Sequence, residues 1–417
     1  MRIIKGWPLL LGITLLTSAV LIACNPDETE GKQATKTVYK VSSLSNVNER
    51  QQYDEDEDLR EYMHGIDLIP NKGGNYHLIW SGSHPKEDTE KDDGSWNHNV
   101  YEAALDSKEP KIESPRTLID EPEAQEPVSG GMTEDGHIML TFEDGNNAEN
   151  EVAQRYVIYD QDFNVIKPYP QTIKDGGHSG HGVSVKNRHV VFWSDDWVDG
   201  GGVNDLGSGK DVLVTTLSSE GKILYGKKLT SGKNREWWPI IAASKENTAL
   251  VWQRYVGGQE YAQLMYAVYD PETNQFVSAP KVLHKKVAYY TYDVTYIDLL
   301  DAYMIAGTTP DQKGFMYLIG ADGKVLASKT GLPGFIREAK PAVQVKNGVA
   351  TLIYPKASSG FMVISATTQK IELKDTIKDS FRWQYGGTVG FFTKGGNAYF
   401  ASLSKEGIVE KKITISN

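Results

Sequence analysis

The sequence predicts an all-β protein folded as a seven-bladed β-propeller, in which each blade is a sheet of four antiparallel strands. Three observations indicate this class. A unit of two short apolar strands joined by a turn recurs roughly every 50 residues. A second hairpin lies between successive units, and apolar stripes with a helical period are absent. The second strand of the repeated unit begins near residues 77, 137, 189, 248, 302, 349 and 398.

The second hairpin supplies the third and fourth strands of each unit. Its clearest examples turn at Glu220-Gly221 and Asp322-Gly323, dipeptides that are strong signals for tight hairpins. Six or eight blades are the alternatives to seven, because the unit boundaries are set by pattern alone. No linker that would separate stacked sandwich domains is found between residues 60 and 417. Residues 37–417 are therefore predicted to form one domain.

The N-terminal residues predict a lipoprotein signal. Arg2 and Lys5 precede an apolar run, and the small residue Ala23 precedes Cys24. This order resembles the lipobox of bacterial lipoproteins. The resemblance implies cleavage after residue 23, acylation of Cys24 with chains such as palmitate, and anchoring in the bacterial cell envelope, at the outer membrane or cell surface rather than the inner membrane. An uncleaved transmembrane helix is the alternative, but the run is shorter than the ~20 residues that span a bilayer.

Residues 24–36 are polar and predict a flexible tether between the lipid and the folded domain. Cys24 is the only cysteine, so the exported domain has no disulfide. The formal charge is −11, and removal of Arg2 and Lys5 with the signal makes it −13. Such an acidic protein is not expected to bind nucleic acid. The expected partners are the membrane, through the lipid, and a glycan or protein ligand.

The first strand of the mature chain has no partner near it in sequence. It covers Thr37 to Val41, whereas the last repeat ends near Ile415 after only about three strands. We expect the N-terminal strand to complete the last blade, because this closes the ring and removes its exposed edges.

The loops that lead into the innermost strands converge on one mouth of the central channel in a propeller. Here they are rich in His, Arg, Tyr and Trp, whose aromatic faces and guanidinium groups suit sugars, carboxylates and aromatic ligands. The alternative is that these side chains plug the channel and pair with one another, Arg235 with Glu236 or Arg337 with Glu338. The residues predicted to bind a ligand are Glu126, Arg235, Glu236, Trp237, Asp293, Arg337, Arg382 and Trp383.

Two motifs in the third repeat suggest a divalent metal, Zn²⁺ or Ca²⁺, and no other cofactor is predicted. His178 and His181, three residues apart around a glycine, could ligate a metal or supply a base and its positioning partner. A long Gly-rich loop carries Asp195, Asp196 and Asp199, which could supply oxygens to Ca²⁺. A solvated, flexible acidic loop is the favoured interpretation of this segment, and Ca²⁺ binding is the alternative. His77, His137 and His189 recur at one repeat position and are expected to serve the fold.

The first repeat carries His64, Asp67, Gly74, His77 and His84. This pattern resembles the opening blade of BNR-type propellers, which include polysaccharide lyases active on uronic-acid polymers. The resemblance implies that His64 or His178 takes a proton next to a carboxylate that Arg337 or Arg382 neutralises, and that Tyr290 or Tyr292 protonates the leaving oxygen. The candidate catalytic residues are therefore His64, His178, His181, Tyr290 and Tyr292.

Two functions follow from these features. The leading hypothesis is an exported, membrane-anchored module that binds a glycan, small molecule or protein partner at its axial mouth. The alternative is a polysaccharide lyase or hydrolase that acts on acidic glycans. The fold does not choose between them, because propellers host both classes.

Overall fold

The structure is a computed structural model. It describes residues 37–45, 63–83, 98–121, 124–145, 152–195, 209–381, 383, 387–404 and 407–416. The predicted signal, Cys24, the tether and Arg382 lie outside the described residues. Residues 38–416 form one compact unit. No helix in the described ranges is long and apolar enough to cross a membrane.

The described residues form seven four-stranded antiparallel sheets, as predicted. Blade 1 contains β2 (Met63–Pro70), β3 (Tyr76–Ser83), β4 (His98–Leu105) and β5 (Arg116–Ile119). Blade 2 contains β6 (Gln125–Met132), β7 (Ile138–Asp144), β8 (Ala153–Tyr159) and β9 (Val165–Asp175). Blade 3 contains β10 (His178–Val185), β11 (Arg188–Asp195), β12 (Asp211–Ser218) and β13 (Ile223–Lys228).

The second half of the chain repeats this order. Blade 4 contains β14 (Glu236–Ala243), β15 (Thr248–Tyr255), β16 (Ala262–Asp270) and β17 (Gln275–Val287). Blade 5 contains β18 (Tyr292–Ile297), a 3₁₀ turn (Asp298–Leu300), β19 (Ala302–Thr308), β20 (Lys313–Gly320) and β21 (Val325–Pro333). Blade 6 contains β22 (Ala342–Lys346), β23 (Val349–Pro355), β24 (Phe361–Thr367) and β25 (Lys370–Ile377). Blade 7 contains β26 (Thr388–Phe392), β27 (Ala398–Ser404), β28 (Gly407–Ser416) and β1 (Val38–Ser43).

Blade 7 joins the two ends of the compact unit, which confirms the predicted closure of the ring. Strand β1 pairs antiparallel with β28, from Val38 opposite Ser416 to Ser43 opposite Lys411. The N-terminal strand is therefore the outermost strand of the last blade. Its addition covers the free edge that β28 would otherwise present.

The strand order defines two faces. In each blade the innermost strand runs from the entry loop to the far face, and the next three strands alternate in direction. The mouth face therefore carries the turns between second and third strands and the links between blades. The far face carries the turns between first and second strands, and it also holds the beginning of β1.

Apolar side chains pack between neighbouring sheets and form the core. The clusters span successive blades; Trp252, Tyr303 and Phe400 are among their largest fully buried members. Burial of one large apolar side chain stabilises the fold by roughly 1.5–3 kcal/mol. These blade-to-blade contacts hold the entry loops in place.

The three repeated histidines lie near the far face and contact neighbouring polar groups. His77 Nδ1 lies 2.8 Å from Glu102 Oε1, and His137 Nδ1 lies 3.5 Å from Asp135 Oδ2. His189 is fully buried, with its ring nitrogens 2.8 Å from Ser184 Oγ and 3.1 Å from the Ser219 carbonyl oxygen. Burial lowers the pKa of His189 to about 4. Such contacts are those of residues that serve the fold.

Candidate ligand-binding site at the axial mouth

The entry segments of blades 3 to 6 meet at the mouth. Trp237 in blade 4 donates its indole N–H to Ser179 Oγ in blade 3, at 2.9 Å. Trp238 donates to Glu338 Oε1 in the segment before β22, at 2.7 Å. The two indole rings meet edge to face, with centroids 5.7 Å apart. Side chains distant in sequence are thus joined in one cluster.

Arg337 lies between two aromatic faces. Its Cζ is 4.0 Å from the ring centroid of Trp238 and 4.4 Å from that of Tyr290. Its Nε donates to Glu338 Oε1 at 2.9 Å, and only 7% of the residue is exposed. Cation–π contacts strengthen when the cation is desolvated in this way. The Arg337–Glu338 pair expected under the channel-plug alternative is therefore present.

The two histidines of the third repeat differ in accessibility. His178 is 3% exposed, and its ring lies edge-on to Trp237 with centroids 5.9 Å apart. Burial lowers its pKa to about 3, so the imidazole is neutral at pH 7. His181 is half-buried, with Nδ1 3.2 Å from the Ser179 carbonyl oxygen and its ring edge-on to Trp238. Of the two, His181 reaches the surface of the mouth.

The two candidate tyrosines differ in the same way. Tyr292 is fully buried and donates its hydroxyl to the Trp238 carbonyl oxygen at 2.5 Å. Burial raises its pKa well above the ordinary value. Tyr290 is half-buried, and its ring meets Trp237 and Trp238 edge to face. Tyr290 is therefore partly exposed at the mouth, whereas Tyr292 is buried.

Non-glycine residues adopt left-handed backbone conformations at the entries of four successive blades. The φ angles are 55° for Ser179, 58° for Trp238, 63° for Tyr290 and 49° for Glu338. This region is unfavourable for side-chain-bearing residues, at a cost of roughly 1–3 kcal/mol each. Gly65 has φ of 94° in blade 1, where an added Cβ would lie 2.5 Å from Val128 N. Seven other described non-glycine residues also have positive φ, but only these four recur at the entries of successive blades.

A β-bulge accompanies the entry in blades 1 to 4. In each of these innermost strands, two paired positions are three residues apart, whereas their partners on the second strand are only two residues apart. The innermost strand therefore carries one extra residue at this point. The bulges lie between Met63 and Ile66, Glu126 and Ser129, His178 and His181, and Trp237 and Ile240. A bulge redirects the side chains around it, so these insertions decide which entry side chains face the axis.

A small polar cavity lies on the axis beneath the mouth. Its volume is about 30 Å³, and its lining comes from innermost strands around the ring. Lys340 Nζ lies 2.6 Å from Asp67 Oδ1, while Asp293 accepts from Thr295 Oγ1 at 3.2 Å. Burial raises the pKa of Asp293 to about 7, and Lys340 opposes this shift. A cavity of this size holds about one water, so a ligand would rest on the mouth above it.

Three other predicted site residues are buried within or between the blades. Glu236 is buried and accepts from Arg254 Nε at 2.7 Å. Trp383 packs in the core between blades 6 and 7, with its ring centroid 4.7 Å from that of Phe361. Glu126 Oε2 lies 2.5 Å from His98 Nδ1, whose ring is fully buried.

Of the remaining candidates, the structure describes Arg235 and Asp195. Arg235 is half-buried at the same entry as Trp237, and Asp195 ends β11 opposite Asp211. The side chain of His64 and all of Arg382, Asp196 and Asp199 lie outside the described residues. Within the described ranges, no three His, Cys, Asp or Glu side chains are grouped as a metal site. Binding of Zn²⁺ at His178 and His181, or of Ca²⁺ at the acidic loop, stays a prediction.

Four participants were not among the predicted site residues: Ser179, Trp238, Glu338 and Lys340. Ser179 joins His178 to Trp237, and Lys340 places a cation on the axis beside Asp67. A serine between two histidines carries no signal of its own, and lysine is usually a surface residue. The sequence places Trp238 and Glu338 in entry loops, but their hydrogen bond joins residues 100 positions apart and forms only because the ring brings the two loops together.

Comparisons with known proteins support the fold. No family model matches the chain, and no curated protein matches it significantly. The BP39L lectin from Burkholderia pseudomallei is similar at a TM-score of 0.55 and 10% identity, over 85% of this chain and 97% of the lectin. A chain of the mitotic checkpoint complex is similar at a TM-score of 0.52 and 11% identity, over 96% of this chain and 99% of that chain. The WD40 domain of Toxoplasma gondii coronin is similar at a TM-score of 0.51 and 10% identity, over 91% of this chain and 87% of that domain.

Proposed function

We propose that the chain is an exported, lipid-anchored binding module whose propeller holds a glycan at the axial mouth. The observation that carries the proposal is the set of left-handed entry residues Ser179, Trp238, Tyr290 and Glu338. Four strained positions in four successive blades meet at one place. Backbone strain persists only where the surrounding structure holds it, and it is typical of binding and catalytic sites.

The chemistry of the cluster suits a sugar. Tyr290 and His181 are both half-buried, and their rings each lie edge-on to Trp238. Arg337 lies against the rings of Trp238 and Tyr290, and Glu338 accepts the indole N–H of Trp238. Aromatic groups with few polar partners are the usual lining of small-ligand sites. One protein of similar fold is named a lectin, and at 10% identity that activity extends to this chain only as part of the proposal.

Lyase or hydrolase chemistry has weaker support. Such a mechanism needs a base and a proton donor that reach the substrate. His178 and Tyr292 are enclosed by Trp237 and Trp238. Among the candidate catalytic residues whose side chains are described, only His181 and Tyr290 are partly exposed.

Replacing Tyr290 by alanine is expected to weaken glycan binding about tenfold or more, because central aromatic residues dominate recognition. The measurement is a screen of the full chain on an array of neutral and acidic oligosaccharides, followed by titration with the glycan that binds. Tyr290→Phe, which keeps the ring, should bind nearly as well as the wild type.

Tyr296→Ala is the matched control. This tyrosine belongs to the same blade but lies towards the far face, where its hydroxyl bonds Asp301 Oδ1 at 2.8 Å. Equal losses of affinity in Tyr290→Ala and Tyr296→Ala would contradict a site at the mouth. An array on which the wild type binds no glycan would contradict the proposed ligand class.

The first described strand enters the propeller from the far face. Strand β1 begins on the far face, where Val38 pairs with Ser416. Residues 24–37 can extend at most about 45 Å. A lipid on Cys24 would therefore lie within about this distance of the first residue of β1.

Replacing Cys24 by serine is expected to abolish lipidation, since a hydroxyl cannot replace the thiol that forms the thioether. Cells labelled with palmitate should yield labelled wild-type protein and unlabelled Cys24→Ser protein. The neighbouring substitution Asn25→Ser serves as the control and should keep the label. Label retained in the Cys24→Ser protein would rule out this residue as the anchor.

A further inference from the structure

A second concave surface lies on the mouth face, away from the axis. It is a groove of about 730 Å³ between the outer part of blade 4 and the second and third strands of blade 5. This volume is in the range of small-ligand pockets. Its lining comes from the start of blade 4's third strand, the end of β17 and the turn between β19 and β20.

The groove carries positive charge on an acidic protein. Lys285 and Lys286 are exposed at its wall. Within the described part of the chain, neither ammonium has a carboxylate at salt-bridge distance, and Lys286 Nζ lies 4.9 Å from the ring centroid of Tyr261. The one acidic lining residue, Asp311, already pairs with Lys313 Nζ at 2.7 Å. Two ammonium groups are thus left to attract an anion.

The floor and the opposite wall are aromatic and can donate or accept hydrogen bonds. His284 stacks on Phe315, with centroids 3.9 Å apart and an interplanar angle of 8°. Its Nδ1 lies 2.9 Å from Tyr317 Oη, so Nε2 is the nitrogen available to a ligand. Partial burial lowers the pKa of His284, which keeps the ring neutral near pH 7.

We propose that this groove is a second binding site, and that it takes an anionic sugar. The ammonium groups of Lys285 and Lys286 bind the acidic substituent as point charges. The faces of Tyr261 and Pro310 cover the apolar face of the ring. His284 Nε2 hydrogen-bonds a ring hydroxyl. The site is separate from the axial mouth and does not depend on a ligand binding there.

The test is calorimetric titration of the full chain with three galactose-based probes: trigalacturonic acid, a sulfated galactotriose and neutral galactotriose. We expect at least one acidic probe to bind about tenfold or more tightly than the neutral one, since charge-assisted contacts exceed neutral ones by about this factor. High salt should weaken this binding because the two lysines are exposed. Which acidic probe binds distinguishes a carboxylate from a sulfate sugar.

Lys285→Ala combined with Lys286→Ala should reduce affinity for the acidic probe at least tenfold. Lys329→Ala combined with Lys346→Ala is the control, because it removes the same charge from exposed positions away from the groove. Tyr290→Ala should leave this binding unchanged, which separates the groove from the mouth. Equal binding of acidic and neutral probes, no binding of either acidic probe, or unaltered binding by the groove variant would overturn the proposal.

Discussion

Deletion of residues 35–45 is expected to abolish cooperative folding of the whole propeller instead of loosening one end. The deletion removes β1, and with it the fourth strand of blade 7. Strand β28 then becomes an exposed edge, and the ring loses the only described strand that ties the N-terminal end of the compact unit to the C-terminal blade.

The expected loss is a large share of the total stability. Six positions of β1 pair with β28, and each hydrogen bond contributes about 1 kcal/mol net. Tyr39 and Val41 also pack against the core between blades 6 and 7, where each adds roughly 1–2 kcal/mol. Whole domains are stable by only about 5–15 kcal/mol. Thermal unfolding followed by circular dichroism should therefore show no cooperative transition.

Two double variants provide matched controls. Tyr39→Ala with Val41→Ala removes the side chains that face the core, whereas Val38→Ala with Lys40→Ala changes exposed positions of the same strand. The first pair should lower the melting temperature clearly, and the second should hardly change it. A deleted chain that unfolds as the wild type does would rule out β1 as the closing strand.

Blade number and closure could be predicted because they depend on local patterns. Short apolar strands and turns such as Asp322-Gly323 recur with the blade period, and the unpartnered strand at Val38 had one free edge to pair with. The antiparallel order then places every entry loop on one face, whatever its distance in sequence. The location of the mouth follows from these two facts.

The orientation of individual site residues could not be predicted in the same way. His178 and His181 lie on either side of a bulge, and one extra residue encloses the first and leaves the second at the surface. A shift of one residue reverses the face of every side chain in a strand. Trp383, which packs between blades 6 and 7, and Trp238, which contacts Arg337 at the mouth, look equivalent in sequence.

The Asp293→Asn variant is expected to change the pH dependence of stability. Asp293 is 5% exposed, and burial raises the pKa of its carboxyl to about 7. The Lys340 ammonium lowers the pKa of Asp293 and so opposes the effect of burial. This ammonium also lies 2.6 Å from Asp67 Oδ1, so its charge acts on two carboxylates. Glu338, which lines the same cavity, adds negative charge and favours the protonated form.

The direction of this pH dependence follows from the pKa of Asp293 in the unfolded and folded chains. In the unfolded chain an aspartate ionises near pH 4, whereas in the folded chain Asp293 keeps its proton to about pH 7. Between these values the folded state binds more protons, so the contribution of Asp293 to stability falls as pH rises and is level above pH 7. A shift of this size corresponds to at most about 4 kcal/mol.

Two buried histidines act in the opposite direction. His178 and His189 have folded pKa values of about 3 and about 4, below the unfolded value near 6.5. Their contributions are lost as pH falls below about 6.5, because the unfolded chain then binds more protons. The pH profile of the wild type alone therefore mixes both effects, and only the difference between wild type and variant isolates Asp293.

Denaturant unfolding at pH values from 4 to 8 gives this difference. The stability of the wild type minus that of Asp293→Asn should decrease steadily from pH 4 to pH 7, because over this range Asp293 is ionised in the unfolded chain but keeps its proton in the folded chain, whereas the amide titrates in neither state. Asp162→Asn makes the same change at an exposed position and should give a nearly flat difference. A difference for Asp293→Asn that rises with pH would mean that Lys340 holds the carboxylate ionised, and that the axial cavity is an ion-pair network with Asp293 as a member.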